Sequence, residues 1–279
     1  MSQFSTLFQD IITVLEKYGS LYLKGIGNTL LLSTVSTLIA VVIGFFLGIL
    51  QTIPYTPGKP VRNVLLRILR AIIRAYVEIF RGTPMVLQAV FIYYGLPYLT
   101  NNAVRFNDVW LASILVVSIN TGAYMCESVR GGIISIDPGQ TEGAKAIGMT
   151  HFQTMFHVIL PQAFRNILPQ IGNNYIINLK DTSVLFIISF TEFFAVHRAV
   201  VGATYLYFPS ALIEMVGYLT MTLVASALLR LLEKKLNGKS DYKLVTEDSL
   251  VMTAGTYSLH DGSGLEEHSK EFGDNGGEE

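Results

Sequence analysis

Cysteine and charge are both scarce in this sequence of 279 residues. The single cysteine, Cys126, lies in an apolar run, so neither a disulfide framework nor a cysteine-based metal site can form within one chain. Charged residues make up 15% of the chain and hydrophobic residues 51%, with a mean hydropathy of +0.44. This balance lies well to the apolar side of a soluble domain and indicates a membrane protein.

Motifs for chemistry are also missing. The stretch 237–240 ends like a phosphate-binding loop, but the glycine that such a loop requires is replaced by Glu233. His151, His157 and His197 are scattered without metal-ligand spacing, and each is interpreted as a solvated or capping residue. No nucleophile motif occurs, so we expect no enzyme activity, no metal site and no nucleic-acid partner.

Five apolar segments are long enough, or nearly so, to cross the bilayer as helices. They cover residues 28–50, 85–99, 109–126, 171–190 and 208–232. The sequence therefore predicts an all-α membrane protein with five transmembrane helices. In the first of them, small residues recur at three- and four-residue spacings, which permits close helix packing in lipid; these are Ser33, Ser36, Ala40, Gly44 and Gly48.

The composition divides the chain into three regions. Residues 1–24 alternate apolar and charged residues at helical spacing, which predicts a short amphipathic helix in the membrane interface; a loosely ordered end is the alternative. Residues 25–236 form the transmembrane domain. Residues 237–279 hold three Lys against ten Asp or Glu, and this acidic tail is predicted to be disordered and cytoplasmic, with its role left open.

A charged stripe precedes the second apolar segment. Its members fall on one narrow face of a helix and are Asn63, Arg67, Arg70, Arg74, Glu78 and Arg81. Such a stripe suits the anionic cytoplasmic surface, a wet groove between subunits, or a plain interfacial helix. The sequence Gly82-Thr83-Pro84 interrupts the helix before the apolar segment continues.

Basic residues fix the orientation, because cytoplasmic segments near a membrane carry excess Lys and Arg. The basic residues cluster in the 51–81 region, in the 130–165 loop and after the last span, whereas the opposite loops hold few. We therefore predict an extracytoplasmic N-terminus and a cytoplasmic C-terminus. The loop at about 137–161 then faces the cytoplasm.

That loop carries a recognisable pattern. Glu142, Gly143, Ala144, Gly148, Leu160 and Pro161 match the spacing E-A-A-x3-G-x9-I-x-L-P, with Gly143 in place of an alanine and Val158 in place of the isoleucine. The pattern resembles the EAA motif of importer-type ABC transporter permeases. Further stretches resemble the polar amino-acid uptake subfamily of these permeases: 27–30 (GNTL), 78–84 (EIFRGTP), 122–132 (GAYMCESVRGG), 160–166 (LPQAFRN) and 179–183 (LKDTS).

The resemblance implies an importer-type permease fold in the bacterial cytoplasmic membrane. It also implies the partners: a separate ATPase subunit, two copies in all, which binds ATP and Mg, a second permease chain, an extracytoplasmic binding protein and an amino-acid substrate. In the family, the loop forms short helices that dock in a cleft of the ATPase. Glu142 is then an exposed pairing group, Gly148 is the turn between the helices, and Pro161 transmits movement to the next span.

Polar residues also enter the fourth apolar segment. Asn174, Asn178 and Asp181 share one helical sector with Thr182 at its edge, and Ser183 follows within the last motif. An ionisable group inside a span usually faces a cavity or a partner. We therefore take these five residues as candidates for the substrate path, with Asp181 meeting the ammonium group of an amino acid.

Two alternatives stay open at this stage. Asp181 could instead form a structural pair with Lys180 or an arginine, and for Arg81, Glu127 and Arg130 the structural pair is the favoured interpretation. The expected function is the permease subunit of an ATP-driven amino-acid importer. A membrane sensor or receptor that reports substrate occupancy on the same scaffold is the alternative function, and the sequence names neither the amino acid nor the pairing partner.

Overall fold

The computed structural model describes residues 3–237, and within this range all regular secondary structure is helical. We number its helices α1 (Gln3–Thr52), α2 (Pro60–Gly82), α3 (Met85–Leu99), α4 (Val109–Ile134), α5 (Pro138–Ala146), α6 (His151–Ile188), α7 (Phe193–Thr204) and α8 (Tyr207–Asn237). The all-α prediction is confirmed for this range. The acidic tail lies outside it, apart from Asn237 at the end of α8.

Helix α1 is continuous over 50 residues, so no helix boundary separates residues 1–24 from the first apolar segment. The separate short helix predicted there is instead the first part of α1. Its buried face carries on through Val14, Tyr22 and Gly25, and no proline interrupts it. The position of residues 3–24 relative to a membrane stays a prediction.

Three helices of the described range, α1, α4 and α8, are long and apolar enough to cross a membrane. Helices α6 and α7 pass the same test as a pair, but they are bent by 53° across a short break. Helix α3 is apolar but shorter, and it follows α2 after a break at 83–84. The predicted count of five spans therefore stays a prediction.

Small residues hold α1 and α4 together in parallel. A Cβ added to Gly44 would lie 2.3 Å from Cβ of Met125, and one added to Gly48 would lie 2.7 Å from Cβ of Val129. Ser33, Ser36 and Ala40 of the same stripe are fully buried. The predicted close packing is confirmed, because only glycine fits where the two backbones approach this closely.

Helix α6 begins at His151, so most of the predicted fourth segment, 171–190, is the later part of a longer helix. The helix passes both of its prolines. A π-helical turn at Met155–Ile159 precedes Pro161, and the Leu160 N–H there bonds the Met155 carbonyl. Because this turn uses wider hydrogen-bonded rings, the proline ring is accommodated without ending the helix. Helix α6 runs antiparallel to α4, with Ile167 against Gly132 and Asn178 against Thr121.

Two amide side chains hydrogen-bond the backbone at the break between α2 and α3. The Gln88 amide donates to the carbonyl oxygens of Phe80 and Thr83 at 2.9 and 3.0 Å. Asn120 of α4 donates to the same Phe80 carbonyl at 3.1 Å and to Gln88 Oε1 at 2.9 Å. The carbonyls that the break exposes are thus satisfied inside the protein, as a discontinuous helix in lipid requires.

These contacts show which helix ends lie at the same end of the bundle. The ends of α1 and α4 lie at one end of the bundle, together with α5 and the start of α6. Helix α8 is antiparallel to α6, because Leu229 packs on Gly172 while Tyr218 bonds Glu192, so its end lies there too. We call this the loop end, and the other, which holds the start of α7 and α8, the far end. Their assignment to cytoplasm and exterior stays a prediction.

Candidate functional site

The loop between α4 and α6 is a compact pair of short helical turns. Asp137 begins α5 by accepting a hydrogen bond from the Gly139 N–H at 2.6 Å. At the other end, the Gly148 N–H bonds the Lys145 carbonyl at 2.9 Å and the Met149 N–H bonds the Ala144 carbonyl at 3.0 Å. This pairing is a Schellman motif, and Gly148 occupies its left-handed position with φ +83°. The predicted turn at Gly148 is confirmed.

The same loop has a buried side and an exposed side. Ala144 is only 5% exposed, whereas Glu142, Gly143 and Gly148 are exposed. Ile147 is 79% exposed, which is unusual for an isoleucine at a helix end. The loop therefore presents an acidic group, a flat glycine surface and a bare apolar side chain away from the bundle.

The start of α6 fastens this loop to the bundle. Leu160 is half-buried and packs on a core cluster formed by Val129, Ile133, Met155, Ile159, Ala163 and Ile167. Pro161 is exposed, and Gln162 donates to Gln140 Oε1 of α5 at 3.2 Å. A displacement of α5 would thus reach α6 directly.

An apolar groove of 380 Å³ lies beside the loop. It runs between the end of α1 and the start of α6, and its lining includes Phe46, Ile53, Phe152 and Phe156. Phe152 is 67% exposed and stacks on Phe156 with ring centroids 4.3 Å apart. An exposed apolar patch of this kind is typical of an interaction surface with a protein or a membrane.

The asparagines proposed for the substrate path point into the bundle. Asn178 donates to Thr37 Oγ1 of α1 and accepts from Thr121 Oγ1 of α4, both at 2.9 Å. Asn174 donates to the Gln170 carbonyl at 2.8 Å, and Thr182 to the Leu179 carbonyl at 3.3 Å. All three side chains are buried, and Asn178 in particular ties three helices together.

Asp181 differs from these residues. Its side chain is exposed, and it forms neither an ion pair nor a hydrogen bond with any residue of the range 3–237. Lys180 is also exposed and makes no ion pair with it. Ser183 is half-buried in the 3-10 turn that follows. Of the five candidates, Asp181 is the one that presents a charged group outward from its own chain.

Of the residues Arg81, Glu127 and Arg130, for which a structural pair was favoured, two do form an ion pair. Arg81 at the end of α2 forms an ion pair with Glu127 of α4, and its guanidinium lies 5.2 Å from the ring centroid of Tyr124. Arg130 is not paired with any acidic residue of the described range. On the rest of the stripe, Arg67 and Arg74 are exposed, whereas Arg70 bonds the Ile53 carbonyl and stacks on Tyr55.

A buried polar network at the far end was missed by the sequence analysis. Glu192 is fully buried and accepts from the N–H groups of Phe194 and Ala195 at 2.8 and 2.7 Å and from the Tyr218 hydroxyl at 2.9 Å. It thereby caps the start of α7. Sequence patterns carry little signal for this cap, since glutamate is not among the common capping residues.

A second part of this network joins α1, α7 and α8. Ser210 Oγ bonds the Tyr22 hydroxyl at 2.5 Å and His197 Nδ1 at 2.8 Å, and Glu214 lies 3.6 Å from the same imidazole nitrogen. His197 is only 4% exposed, so its interpretation as a solvated or capping residue is wrong. Its long-range partners Tyr22 and Ser210 are distant in sequence, which is why spacing could not reveal them. No group of three or more metal-ligating side chains occurs anywhere between residues 3 and 237.

Comparison with known proteins agrees with this architecture. The family model for the binding-protein-dependent transport system inner membrane component matches residues 40–238. The chain is 34% identical over 216 residues to the glutamine transport system permease protein GlnP of Escherichia coli (strain K12), covering 77% of this chain and 93% of that protein. It is 31% identical over 214 residues to the arginine transport system permease protein ArtQ of Bacillus subtilis (strain 168), covering 77% and 91%.

Solved structures give the same result. A crystal structure of an amino acid ABC transporter with histidines has a TM-score of 0.69 and 33% identity, covering 80% of this chain and 97% of that one. The MetNI methionine ABC transporter shares the fold, with a TM-score of 0.65 at 18% identity and coverages of 79% and 98%. The chain is a multi-pass membrane component of a transporter. It belongs to the family of binding-protein-dependent transport system inner membrane components.

Proposed function

We propose that this protein is the permease subunit of an ATP-driven importer for polar amino acids. The observation that carries the proposal is the exposed loop of α5, which projects Glu142 and Ile147 away from the bundle. Such a loop suits a separate partner that binds it reversibly. The relatives whose names specify glutamine and arginine transport support the amino-acid class.

In this proposal, five spans place the N-terminus outside and the C-terminus in the cytoplasm of a bacterial plasma membrane. The helices α2 and α3 together form the second span, and α6 the fourth. The loop end holds Lys59, Arg62, Lys145, Arg165, Lys234 and Lys235, and this concentration of basic residues supports a cytoplasmic loop end.

Two ATPase subunits dock on the loops of two permease chains, which are either identical or homologous. Glu142 pairs with a basic group of the ATPase, and Gly143 and Gly148 keep the exposed surface flat, while Ala144 lies on the buried side of the loop. Nucleotide and Mg are held by the ATPase, while this chain carries no catalytic group. Movement of α5 is passed through Leu160 and Pro161 into α6, which is a rigid-body route to alternating access.

Asp181 is the group that we propose to meet the substrate ammonium. Its carboxylate is unpaired within residues 3–237 and lies three residues beyond Asn178, which anchors that stretch of α6 to α1 and α4. Asn174, Asn178 and Thr182 hold the backbone around Asp181 in place and leave its charge available, and Ser183 follows on the next turn of the path. A fixed scaffold around a single charge favours recognition of a small cationic group.

Reconstitution tests the proposal. The permease, its ATPase and an extracytoplasmic binding protein are incorporated into proteoliposomes with ATP inside, and uptake of radiolabelled glutamine and arginine is measured. We expect ATP-dependent uptake of at least one of them. Substrate-stimulated ATP hydrolysis without uptake would contradict import and favour a sensor.

The role of Asp181 is tested in the same system. The variant Asp181→Asn keeps the shape of the side chain and removes its charge, so uptake should fall about tenfold or more, as expected for a charge-assisted hydrogen bond. Ser183→Ala is the matched control on the next turn, and we expect a smaller loss. An Asp181→Asn variant with unchanged uptake affinity would remove this residue from the path.

A further inference from the structure

The charged cluster of Arg81, Glu127 and Tyr124 has features that a structural pair alone does not require. The Arg81 and Glu127 side chains are 41% and 42% exposed, although both belong to helices of the transmembrane domain. Tyr124 is itself 38% exposed and lies against the Arg81 guanidinium. Charged groups at membrane depth that are open on their own chain face a water-filled cavity or a partner rather than lipid.

The ion pair is not needed to hold α2 to α4. The Tyr76 hydroxyl donates to the Ile119 carbonyl at 2.6 Å, and Asn120 donates to the Phe80 carbonyl at 3.1 Å. Ile73 and Val77 of α2 also form a buried cluster with Cys126 of α4. The two helices are therefore joined by both hydrogen bonds and apolar packing without Arg81.

The position of the cluster relative to Asp181 follows from the contacts of α4 with its neighbours. On α4, Thr121 faces α6 and Glu127 faces α2, so the exposed side chain of Tyr124 lies between these two neighbours. Asp181 is three residues from Asn178, the partner of Thr121, and Glu127 is six residues from Thr121 in the opposite direction. At 1.5 Å per residue, the cluster is about 13 Å closer to the loop end than Asp181 is.

We propose that Arg81, Glu127 and Tyr124 form a second amino-acid subsite, which rests on the transport function proposed above. The ligand is the zwitterionic backbone of an amino acid. The Arg81 guanidinium binds its carboxylate through two N–H groups, and Glu127 accepts from its ammonium group. When the subsite is empty, the two side chains pair with each other, so neither charge is left alone at membrane depth.

A second subsite nearer the loop end would order the two binding steps of the substrate along the bundle. A substrate that leaves Asp181 moves toward the loop end and meets a guanidinium and a carboxylate that exchange their mutual pair for two pairs with the ligand. Because one ion pair is replaced by two of the same kind, the exchange involves no step with an uncompensated charge. Tyr124 supplies an apolar ring against which the substrate side chain rests.

Ligand binding to the purified permease–ATPase complex tests the proposal. Radiolabelled glutamine or arginine, whichever the wild type takes up, is titrated by equilibrium dialysis in detergent without binding protein. We expect two sites per permease chain in the wild type and one in Arg81→Gln. The matched control is Arg74→Gln, which removes an exposed arginine of the same stripe that forms no ion pair within the described range. It should retain both sites.

A charge exchange separates a subsite from a structural pair. The double variant Arg81→Glu/Glu127→Arg restores an ion pair between the helices, so its thermal midpoint should return to that of the wild type. Its uptake should stay about tenfold lower, because the carboxylate now lies beside Tyr124 and the fork geometry for a substrate carboxylate is lost. Recovery of both stability and uptake would overturn the proposal, and so would an unchanged number of sites in Arg81→Gln.

Failure of this inference is distinguishable from failure of the transport function. A wild-type complex that takes up neither amino acid contradicts the function itself. A wild type that transports normally, together with an Arg81→Gln variant that does the same, overturns only the second subsite.

Discussion

The two ends of the bundle handle their polar groups in opposite ways. At the far end, Glu192, His197, Ser210 and Glu214 are buried and bonded across three helices. At the loop end, Glu142 and Ile147 are exposed, and the Glu142 carboxylate forms no hydrogen bond or ion pair within residues 3–237. The first arrangement rigidifies the bundle, whereas the second leaves a surface free for a partner. Substitutions at the far end should therefore change stability, and those at the loop end should change coupling.

The largest loss of stability is expected for Glu192→Ala. Two backbone N–H groups and the Tyr218 hydroxyl would lose their acceptor in a fully buried place, which costs about 3 kcal/mol of unfolding free energy. The thermal midpoint in detergent measures the loss. Glu192→Gln retains an acceptor oxygen and serves as the control. Its thermal midpoint should lie between those of the wild type and of Glu192→Ala. A midpoint equal to the wild type in Glu192→Ala would mean that this end is not stabilised by its network.

A smaller loss is expected for Ser210→Ala. The change removes the hydroxyl that bonds both Tyr22 and His197, so two polar groups in the buried region lose one partner each. The expected cost is about 2 kcal/mol. Thr220→Ala, an exposed hydroxyl in the same helix that bonds only the carbonyl of Val216, is the control and should leave the midpoint nearly unchanged. Equal midpoints for both variants would contradict the comparison of the two ends.

Gly148→Val tests the loop end. A β-branched residue at φ +83° strains the Schellman turn by about 1 kcal/mol, because a side chain disfavours the left-handed conformation. No atom lies within 4 Å of the added Cβ, so the strain is conformational only. We expect uptake to be lost while the bundle stays folded, measured by uptake and by thermal midpoint. Gly143→Ala, at a helical glycine of the same loop, should raise the midpoint slightly. A Gly148→Val variant that transports normally would reduce the segment to an ordinary loop.

The smallest effect on stability is expected for Glu142→Lys. The side chain is exposed and makes no contact that the bundle needs, so the midpoint should not change. The reversed charge should nevertheless weaken ATPase binding and reverse the salt response of uptake, since salt screens the attractive ion pair of the wild type but relieves the repulsion in the variant. Uptake measured at two ionic strengths checks this. Identical uptake and salt response in the variant and the wild type would contradict a role in docking.

Patterns within a single helix were predictable from the sequence. The stripe of small residues on α1 became the close contact with α4, and Gly148 became a left-handed turn, because each depends on neighbours within one helical repeat. Helix ends were less predictable. The short helix predicted for residues 1–24 is the first part of α1, and the apolar segment 171–190 belongs to a helix that begins at His151. A π-helical turn accommodates Pro161 in that helix, which composition does not reveal.

Contacts between segments that are distant along the chain could not be predicted from the sequence. Asn174, Asn178 and Asp181 share a sector of one helix, and periodicity treats them alike. Packing separates them: the amide of Asn178 is used by Thr37 and Thr121, whereas the carboxylate of Asp181 is left open. The same limit applies to Glu192, whose Tyr218 partner lies on α8, and to His197, whose Ser210 partner lies there too.

The sequence by itself determined that this is a helical membrane protein with a polar loop of a known permease pattern, because hydropathy and motif spacing are local properties of the chain. Only the tertiary structure decided which polar groups are bonded and which are open. That distinction depends on which helices pack against each other. In a helical bundle, a polar side chain that a neighbouring helix covers joins the two helices, whereas one that no helix covers is available to a ligand or partner. The loop of Glu142 and the carboxylate of Asp181 are open in this sense, and the network at Glu192 is closed.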